Sequence, residues 1–145
     1  MSSKSVEILL VEDNPGDVRL VRESFREGGL VNHLHVVANG EEALQFLRRE
    51  GPHRHAPTPD LVLLDLNLPR KDGREVLVEI KADRKLRRIP VIVLTTSEAE
   101  QDILQAYDLN CNCYVAKPVD LEEFMRVIQA IDHFWLHVAA LPPRD

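Results

Sequence analysis

The sequence predicts a doubly wound α/β domain, in which a parallel sheet of five strands carries helices on both faces. Short apolar runs alternate with helical patterns along the chain. Four of these runs end in polar side chains, as expected where parallel strands present their carboxyl ends at one edge of a sheet. The predicted strands cover residues 6–11, 34–37, 61–64, 91–94 and 114–116.

The predicted helices are marked by capping residues and by apolar positions three or four residues apart. Asn14 caps the first helix, Pro15 suits its first position, Asp17 favours the positive first turn, and Gly28-Gly29 ends it. Further helices are predicted after Gly40, over residues 74–85 and over residues 98–110. The intervening loop of residues 51–59 has no periodicity, so its histidines, His53 and His55, are expected to face solvent.

Composition and charge limit the classes of function that the chain can have. The 145 residues suffice for one domain with a hydrophobic core. The net charge of −6 argues against a nucleic-acid partner, because phosphates require a basic surface. No apolar stretch is long enough to span a bilayer, and the amino terminus lacks the apolar core of a signal peptide. We therefore expect no membrane contact and a cytoplasmic location.

Asp65 is the residue that most narrows the chemistry. It follows the apolar run LVLL directly, which places its carboxylate at the carboxyl end of a strand buried on both faces. Asp60 begins the same strand, about 17 Å away, and is expected to lie at the opposite edge and to be inert. Three other strands end in polar residues that we expect to share a pocket with Asp65: Glu12-Asp13, Thr95 and Lys117.

The predicted pocket suits a phosphoryl group beside a hard cation. The carboxylates of Glu12, Asp13 and Asp65 would repel one another without a cation between them. Oxygen ligands without Cys or His favour Mg²⁺. Lys117 adds a movable positive charge and Thr95 a hydroxyl donor, which suit a phosphoryl group on a carboxylate nucleophile. Asp65 is the better nucleophile, since the adjacent Glu12 and Asp13 suit a metal.

Two other groups of potential ligands are not expected to bind metal. Cys111 and Cys113 have no Cys or His nearby in sequence to complete a zinc site, so free thiols are predicted. His133 and His137 have the spacing of a zinc-binding pair but lack the glutamate that follows the first histidine in such motifs. A surface or interface role is predicted for both histidines.

The last predicted helix carries a long apolar stripe. Past Ile131 the apolar residues spread around the helix, so another surface must cover them. That surface is either the helix's own domain or a second copy of the chain, and the second copy is favoured. The residues predicted for this contact are Phe134, Trp135, Leu136 and Val138.

The chain resembles the receiver domains of two-component response regulators, the CheY-like family, from Val6 to about Ile131. The motifs that carry this resemblance are ILLVED, LVLLDLNLP with DG following, VIVLTTS and YVAKP. The resemblance implies a flavodoxin-like sheet with strand order 2-1-3-4-5. It also implies that Asp65 accepts a phosphoryl group from a histidine kinase.

The resemblance assigns further roles around Asp65. It implies Mg²⁺ binding through Asp13 and Asp65, with Glu12 nearby and the main-chain carbonyl of Asn67 as another ligand. Glu12 replaces the commoner aspartate of the acidic pair.

A second set of implied roles concerns the phosphoryl group and the response to it. Thr95 and Lys117 match residues that contact the phosphoryl group, and Tyr114 matches an aromatic that changes rotamer with Thr95. The Lys117–Pro118 bond is implied to be cis. Thr96 stands where the family often has a smaller residue and could crowd the phosphoryl group.

The ending IDHFWLHVAALP resembles the tail of stand-alone regulators paired with bacterial phytochrome histidine kinases, many of them dimeric. This narrower resemblance implies a receiver domain over residues 1–131. It implies that residues 132–145 extend the last helix as a dimer contact, without an output domain. The implied function is a homodimeric switch in phytochrome light sensing, which catalyses only its own phosphorylation and dephosphorylation.

Two alternatives from other classes remain open at this stage. One is a phosphatase or phosphotransferase with an aspartyl intermediate, similar to the haloacid dehalogenase group. Those enzymes need a second aspartate two residues after the nucleophile, where this chain has Asn67. The other is an interaction module with a vestigial pocket.

Overall fold

Five parallel strands form one sheet in the order β2-β1-β3-β4-β5, as the resemblance implied. The computed structural model describes residues 5–29 and 31–144. The strands are β1 (Val6–Val11), β2 (Asn32–Val37), β3 (Leu61–Leu64), β4 (Val91–Thr95) and β5 (Cys113–Ala116). The helices are α1 (Pro15–Glu27), α2 (Gly40–Arg48), α3 (Gly73–Ala82), α4 (Glu100–Asp108) and α5 (Leu121–Asp132).

The sheet lies between two apolar layers, because successive strand residues point to opposite faces. In β3, Leu61 and Leu63 belong to the layer that includes α1 and α5 residues, while Val62 and Leu64 belong to the layer with α2 and α3. All four residues of β3 are buried completely. This two-sided burial explains the unbroken apolar run before Asp65 and confirms the predicted architecture.

The helix boundaries follow the capping signals, with two differences from the prediction. The Asn14 side chain accepts hydrogen bonds from the first turn of α1, with Pro15 at the first position, as predicted. Helix α3 ends at Ala82 rather than residue 85, because Asp83 is extended and its side chain caps the next turn. Helix α4 covers Glu100–Asp108 rather than residues 98–110, because Ala99 is extended and Leu109 leaves the helical conformation.

A π-helical segment, His133–Val138, follows α5 and changes which side chains face inward. Its wider turn, closed by an Ala139 N–H···O Phe134 bond of 2.7 Å, shifts the apolar stripe relative to a continuous α-helix. Leu136 is buried in the core layer of α1 and α5, and Trp135 packs against it. Phe134 and Val138 remain 49% and 60% exposed. Leu136 is therefore buried in its own domain, whereas a contact of Phe134, Trp135 and Val138 with a second copy stays a prediction.

The segment after the π helix returns to the amino edge of the sheet. Arg144 donates from Nη2 to the Ser5 carbonyl (3.1 Å), and its Nε lies 3.1 Å from Asp60 Oδ1. Asp60 also accepts a hydrogen bond from the Glu7 backbone N–H (2.8 Å). Asp60 thus lies away from the pocket, as predicted, but it is not inert, because it anchors this tail.

Glu7 on β1 contacts two side chains of the neighbouring edge strand, β2. Each oxygen of the buried Glu7 carboxylate lies 2.7 Å from one histidine of β2, His33 or His35. Burial by itself raises the pKa of Glu7, but the two histidine hydrogen bonds outweigh it and hold that pKa below its usual value.

The histidines of the loop before β3 differ from each other. His55 is exposed, as predicted. His53 is half-buried, since its ring packs against Phe46 with 5.4 Å between centroids and its Nε2 lies 3.2 Å from Glu42. The prediction of a solvated His53 is therefore wrong.

The described residues bear on three further expectations. Every peptide bond within residues 5–29 and 31–144 is trans, so the Lys117–Pro118 bond is not cis; the trans isomer is the lower in energy. Cys111 and Cys113 are free thiols, and burial raises the pKa of each. None of the described helices combines the length and the apolar character needed to cross a membrane.

Candidate functional site

The carboxyl ends of four strands bring the predicted polar residues together at one edge of the sheet. Glu12 follows β1, Asp65 follows β3, Thr95 ends β4 and Lys117 follows β5. The parallel pairing of these strands places their ends side by side. All four side chains are nearly or completely buried. The strand ends that were predicted to share a pocket therefore lie side by side at one edge of the sheet.

Lys117 is at the centre of this pocket. Its Nζ donates to Glu12 Oε1 (2.5 Å), Asp17 Oδ2 (3.0 Å) and Asp65 Oδ2 (3.3 Å). The lysine side chain is only 6% exposed. Because an ammonium has three N–H donors, these carboxylates use its whole capacity.

The buried charges perturb one another. Burial by itself lowers the pKa of Lys117, but the Glu12 hydrogen bond and the Asp65 charge outweigh it, so the pKa is raised and the ammonium is retained. Burial also raises the pKa of Glu12 to about 6, against the lowering effect of Lys117. A single ammonium thus faces several carboxylates, which leaves the pocket with excess negative charge.

Three carboxylates of the pocket fit a divalent cation. Oxygens of Glu12, Asp13 and Asp65 lie within 4.8 Å of one another. Asp13 is exposed, which leaves room for water ligands, and an all-oxygen set suits Mg²⁺. Asn67 follows closely, and its backbone N–H donates to Asp65 Oδ1 (3.2 Å). The Asn67 carbonyl as a further metal ligand stays a prediction.

The hydroxyl of Thr95 is buried at the end of β4. The residue is completely buried, and its Oγ1 makes no hydrogen bond to any described residue. Such a group is costly to leave unpaired. An added acceptor in the pocket, such as a phosphoryl oxygen, would satisfy it. Thr96, in contrast, is exposed next to the pocket.

Gly73 lets the start of α3 approach the backbone of Asp65 and Leu66 closely, a role that was not predicted from the sequence. A β-carbon at this position would lie 2.2 Å from the Asp65 carbonyl oxygen and 2.7 Å from Leu66 Cα. The Gly73 N–H donates to the Leu66 carbonyl (2.9 Å). Only a residue without a side chain lets the start of α3 approach the backbone after β3 this closely. The glycine of the "DG" that follows the LVLLDLNLP motif is Gly73, so this dipeptide is the sequence feature that could have indicated the close approach.

A polar network holds the loop between β4 and α4. Ser97 Oγ donates to Asp102 Oδ2 (2.5 Å), and Arg74 Nη2 on α3 donates to Asp102 Oδ1 (3.2 Å). The Tyr114 hydroxyl donates to the Ser97 carbonyl (2.9 Å). Tyr114, predicted to change rotamer with Thr95, is therefore tied to the loop that follows Thr95.

The match to known proteins decides the family. Residues 8–129 match the family described as the response regulator receiver domain. The chain belongs to this family. Its sequence is also 47% identical over 135 residues to "Response regulator Rcp1" of Synechocystis sp. (strain ATCC 27184 / PCC 6803 / Kazusa), covering 93% of this chain and 92% of Rcp1.

Solved receiver structures share this fold. The phosphorylated cyanobacterial phytochrome response regulator RcpA is 48% identical with a TM-score of 0.94, covering 97% of this chain and 100% of RcpA. The receiver domain of sensor histidine kinase PA1611 from Pseudomonas aeruginosa PAO1 is 32% identical with a TM-score of 0.69, covering 88% and 97%. That structure has a magnesium ion in its active-site cleft, and a structure of Rcp1 holds Mn²⁺. Receiver domains thus bind divalent metals.

Asp17 is the pocket residue that the sequence reasoning did not place. Its position in the first turn of α1 suggested only a favourable interaction with the helix dipole. The structure turns its carboxylate to Lys117, a residue 100 positions away. A contact at this separation has no periodic signal in a single sequence.

Proposed function

We propose that this receiver domain accepts a phosphoryl group on Asp65 from a sensor histidine kinase and signals through the resulting change of conformation. The observation that carries the proposal is the contact of Asp65 with the buried ammonium of Lys117. The Thr95 hydroxyl, at the end of the neighbouring strand β4, has no hydrogen-bond partner among the described residues. These groups can receive the charge and the oxygens of a phosphoryl group.

In the proposed transfer, a carboxylate oxygen of Asp65 attacks phosphorus. The new O–P bond forms as the bond from phosphorus to the donor breaks, and the donor leaves with the bonding electrons. Lys117 neutralises charge on the transferred group, and Thr95 donates its hydroxyl to a phosphoryl oxygen. A Mg²⁺ ion held by Glu12, Asp13 and Asp65 would supply further charge neutralisation when bound.

The proposed conformational change starts at Thr95. When its hydroxyl turns to the phosphoryl group, the loop that follows it shifts. The Tyr114–Ser97 bond and the Arg74–Asp102–Ser97 network join this loop to β5, α3 and α4. Phosphorylation therefore favours a different arrangement of the surface formed by α4 and β5. The size of this shift is limited by how much more favourably the second arrangement interacts with the phosphoryl group than the first.

The test of the acceptor uses acetyl phosphate with Mg²⁺ and intact-mass measurement. We expect the wild-type chain to gain one phosphoryl group and Asp65→Asn to gain none. Asp60→Asn is the matched control, because it changes the other aspartate adjoining β3 and is expected to retain phosphorylation. Chelation of Mg²⁺ is expected to stop the reaction. Phosphorylation of Asp65→Asn on the same peptide would refute the assignment.

The proposed partner is a bacterial phytochrome kinase. Support comes from the similarity to RcpA, described as a cyanobacterial phytochrome response regulator, over 97% of this chain. The chain is proposed to act as a phospho-acceptor and not as an enzyme with external substrates. Turnover of a phosphate ester by the purified protein would instead support the phosphatase alternative. The cytoplasmic location stays a prediction.

We also propose that residues 132–145 provide a homodimer contact, now limited to the exposed apolar side chains of the π helix. Phe134 and Val138 are exposed, whereas Trp135 and Leu136 pack on their own domain. Light scattering is expected to show a dimer for the wild type and a monomer for Phe134→Ser with Val138→Ser. Val78→Ser is the control, since Val78 on α3 is also exposed. A wild-type monomer with and without acetyl phosphate would refute the contact.

A further inference from the structure

Asp17 makes a contact with Lys117 from a helix and not from a strand end. It is an α1 residue, yet its Oδ2 accepts a hydrogen bond from Lys117 Nζ at 3.0 Å. The Asp17 side chain is partly buried, and that of Lys117 almost completely. Helix α1 is fixed at this end by the Asn14 cap, whose side chain accepts the backbone N–H groups of Gly16 and Asp17. The carboxylate is therefore held on a rigid element.

Glu12 is subject to two competing demands. Its carboxylate has the shortest contact with Lys117, and it also belongs to the carboxylates that fit a cation with Asp13 and Asp65. A bound cation attracts the Glu12 charge and so weakens its hold on Lys117. Asp17 is not part of this set of mutually close oxygens. Its contact with Lys117 is therefore free of that competition.

We propose that Asp17 is a positioning residue, which keeps the Lys117 ammonium beside Asp65 when Glu12 turns its charge to a metal ion. The contact between Asp65 and Lys117 is the longest of the three, at 3.3 Å, so it is the one that gives way to a phosphoryl oxygen. Asp17 then remains as the fixed partner of Lys117 during transfer. This role rests on the proposed phosphorylation of Asp65.

A purely structural role must be separated from this one. An aspartate in the first turn of a helix also stabilises that helix through its dipole. That effect would change the stability of the fold without acting through Lys117. Glu23 is a suitable control for charge, because it lies on the same helix and its carboxylate pairs with Arg19 on the exposed surface.

The experiment measures phosphorylation by acetyl phosphate with saturating Mg²⁺ over a range of donor concentrations. We expect Asp17→Asn to lower the maximal rate constant about tenfold, the effect of one lost charged hydrogen bond, with a smaller change in the half-saturating donor concentration. Asp17→Glu is expected to recover much of the rate, and Glu23→Gln to match the wild type. Urea unfolding checks that each variant is folded.

A double-mutant cycle with Lys117→Ala supplies the decisive readout. If Asp17 acts through Lys117, Asp17→Asn has no further effect on the rate, or on beryllofluoride affinity, once Lys117 is removed. Equal losses in both backgrounds, or a wild-type rate for Asp17→Asn, would overturn the role of Asp17 while leaving Asp65 as the acceptor. A wild-type chain that gains no phosphoryl group would overturn the proposed function itself.

Discussion

Thr95 shows how a single residue can be unfavourable for the fold and useful for the site. Its hydroxyl is completely buried and has no hydrogen-bond partner among the described residues. A buried hydroxyl left unpaired costs about 1–3 kcal/mol. The fold therefore carries a cost that an incoming phosphoryl oxygen would relieve.

Replacing Thr95 with valine tests this trade between stability and function. Thr95→Val removes the hydroxyl while keeping the branched shape, so we expect unfolding in urea to require about 1 kcal/mol more free energy. The same variant should hold its phosphoryl group less firmly, because a donor to the phosphoryl oxygens is lost. Urea unfolding and the decay of phosphorylated protein measure the two effects. A less stable variant would contradict this account.

The pocket residues that could be predicted are those that end strands. Glu12, Asp65, Thr95 and Lys117 follow apolar runs, and parallel pairing brings such ends together. Asp17 could not be found in this way, because its contact with Lys117 depends on how α1 packs against the end of the sheet. Tertiary packing between distant segments leaves no local pattern.

At the scale of elements, strand β2 is held to the sheet partly by side-chain hydrogen bonds. It is an edge strand, and Glu7 on β1 binds His33 and His35 on it. These hydrogen bonds lower the pKa of Glu7 despite its burial. A carboxyl whose pKa is lower in the folded state than in the unfolded state stabilises the fold at pH values above the unfolded-state pKa, 4.5. This stabilisation is lost as the pH falls through the folded-state pKa.

The Glu7 pairing therefore predicts a pH-dependent stability difference. We expect Glu7→Gln to be less stable than the wild type at pH 7. This gap should narrow as the pH falls below about 4.5, because the carboxyl of the unfolded chain binds a proton there and that of the folded chain does so only at lower pH. Urea unfolding over a pH series measures the gap. Glu41→Gln, which changes an exposed carboxylate, should show little gap at any pH, and a Glu7→Gln gap independent of pH would contradict the pairing.

The helical elements were predictable except where the helix type changes. Apolar spacing located α5, but it treated residues up to Val138 as one α-helix. The π helix adds residues to a turn, so the inward position moves to Leu136 and Val138 faces outward. Sequence periodicity has no separate signal for so short a π segment. Whether each apolar residue of this segment packs on its own domain or is exposed could thus be learned only from the structure.

At the scale of the whole molecule, the tail closes the edge of the sheet opposite the pocket. Arg144 joins the Ser5 carbonyl and the buried Asp60 carboxylate, so it connects the last described residues to β1 and β3. Neither pair could be predicted from composition, since Asp60 looked like an isolated residue before a strand. Arg144 therefore joins distant segments at the amino edge of the sheet, and Lys117 does so at the carboxyl edge.

Removing the tail contact should lower stability without affecting the pocket. We expect Arg144→Ala to lower the free energy of unfolding by about 1 kcal/mol, because Asp60 loses a charged partner in a mostly buried place. Arg126→Ala is the control, since Arg126 pairs with Glu122 on the exposed surface and such pairs contribute little. Urea unfolding compares the two. Equal losses would show that the tail contact contributes no more than a surface pair.

The contact of Arg144 with Ser5 also has a practical use. Because it brings the two described ends of the chain to the same place, a donor and an acceptor dye attached there would transfer energy efficiently. Detachment of the tail would lengthen their separation and dim the acceptor. The dyes would stand far from Asp65, so they would leave its chemistry undisturbed. Such a labelled protein would show, in real time, whether phosphorylation at one edge of the sheet loosens the tail at the other.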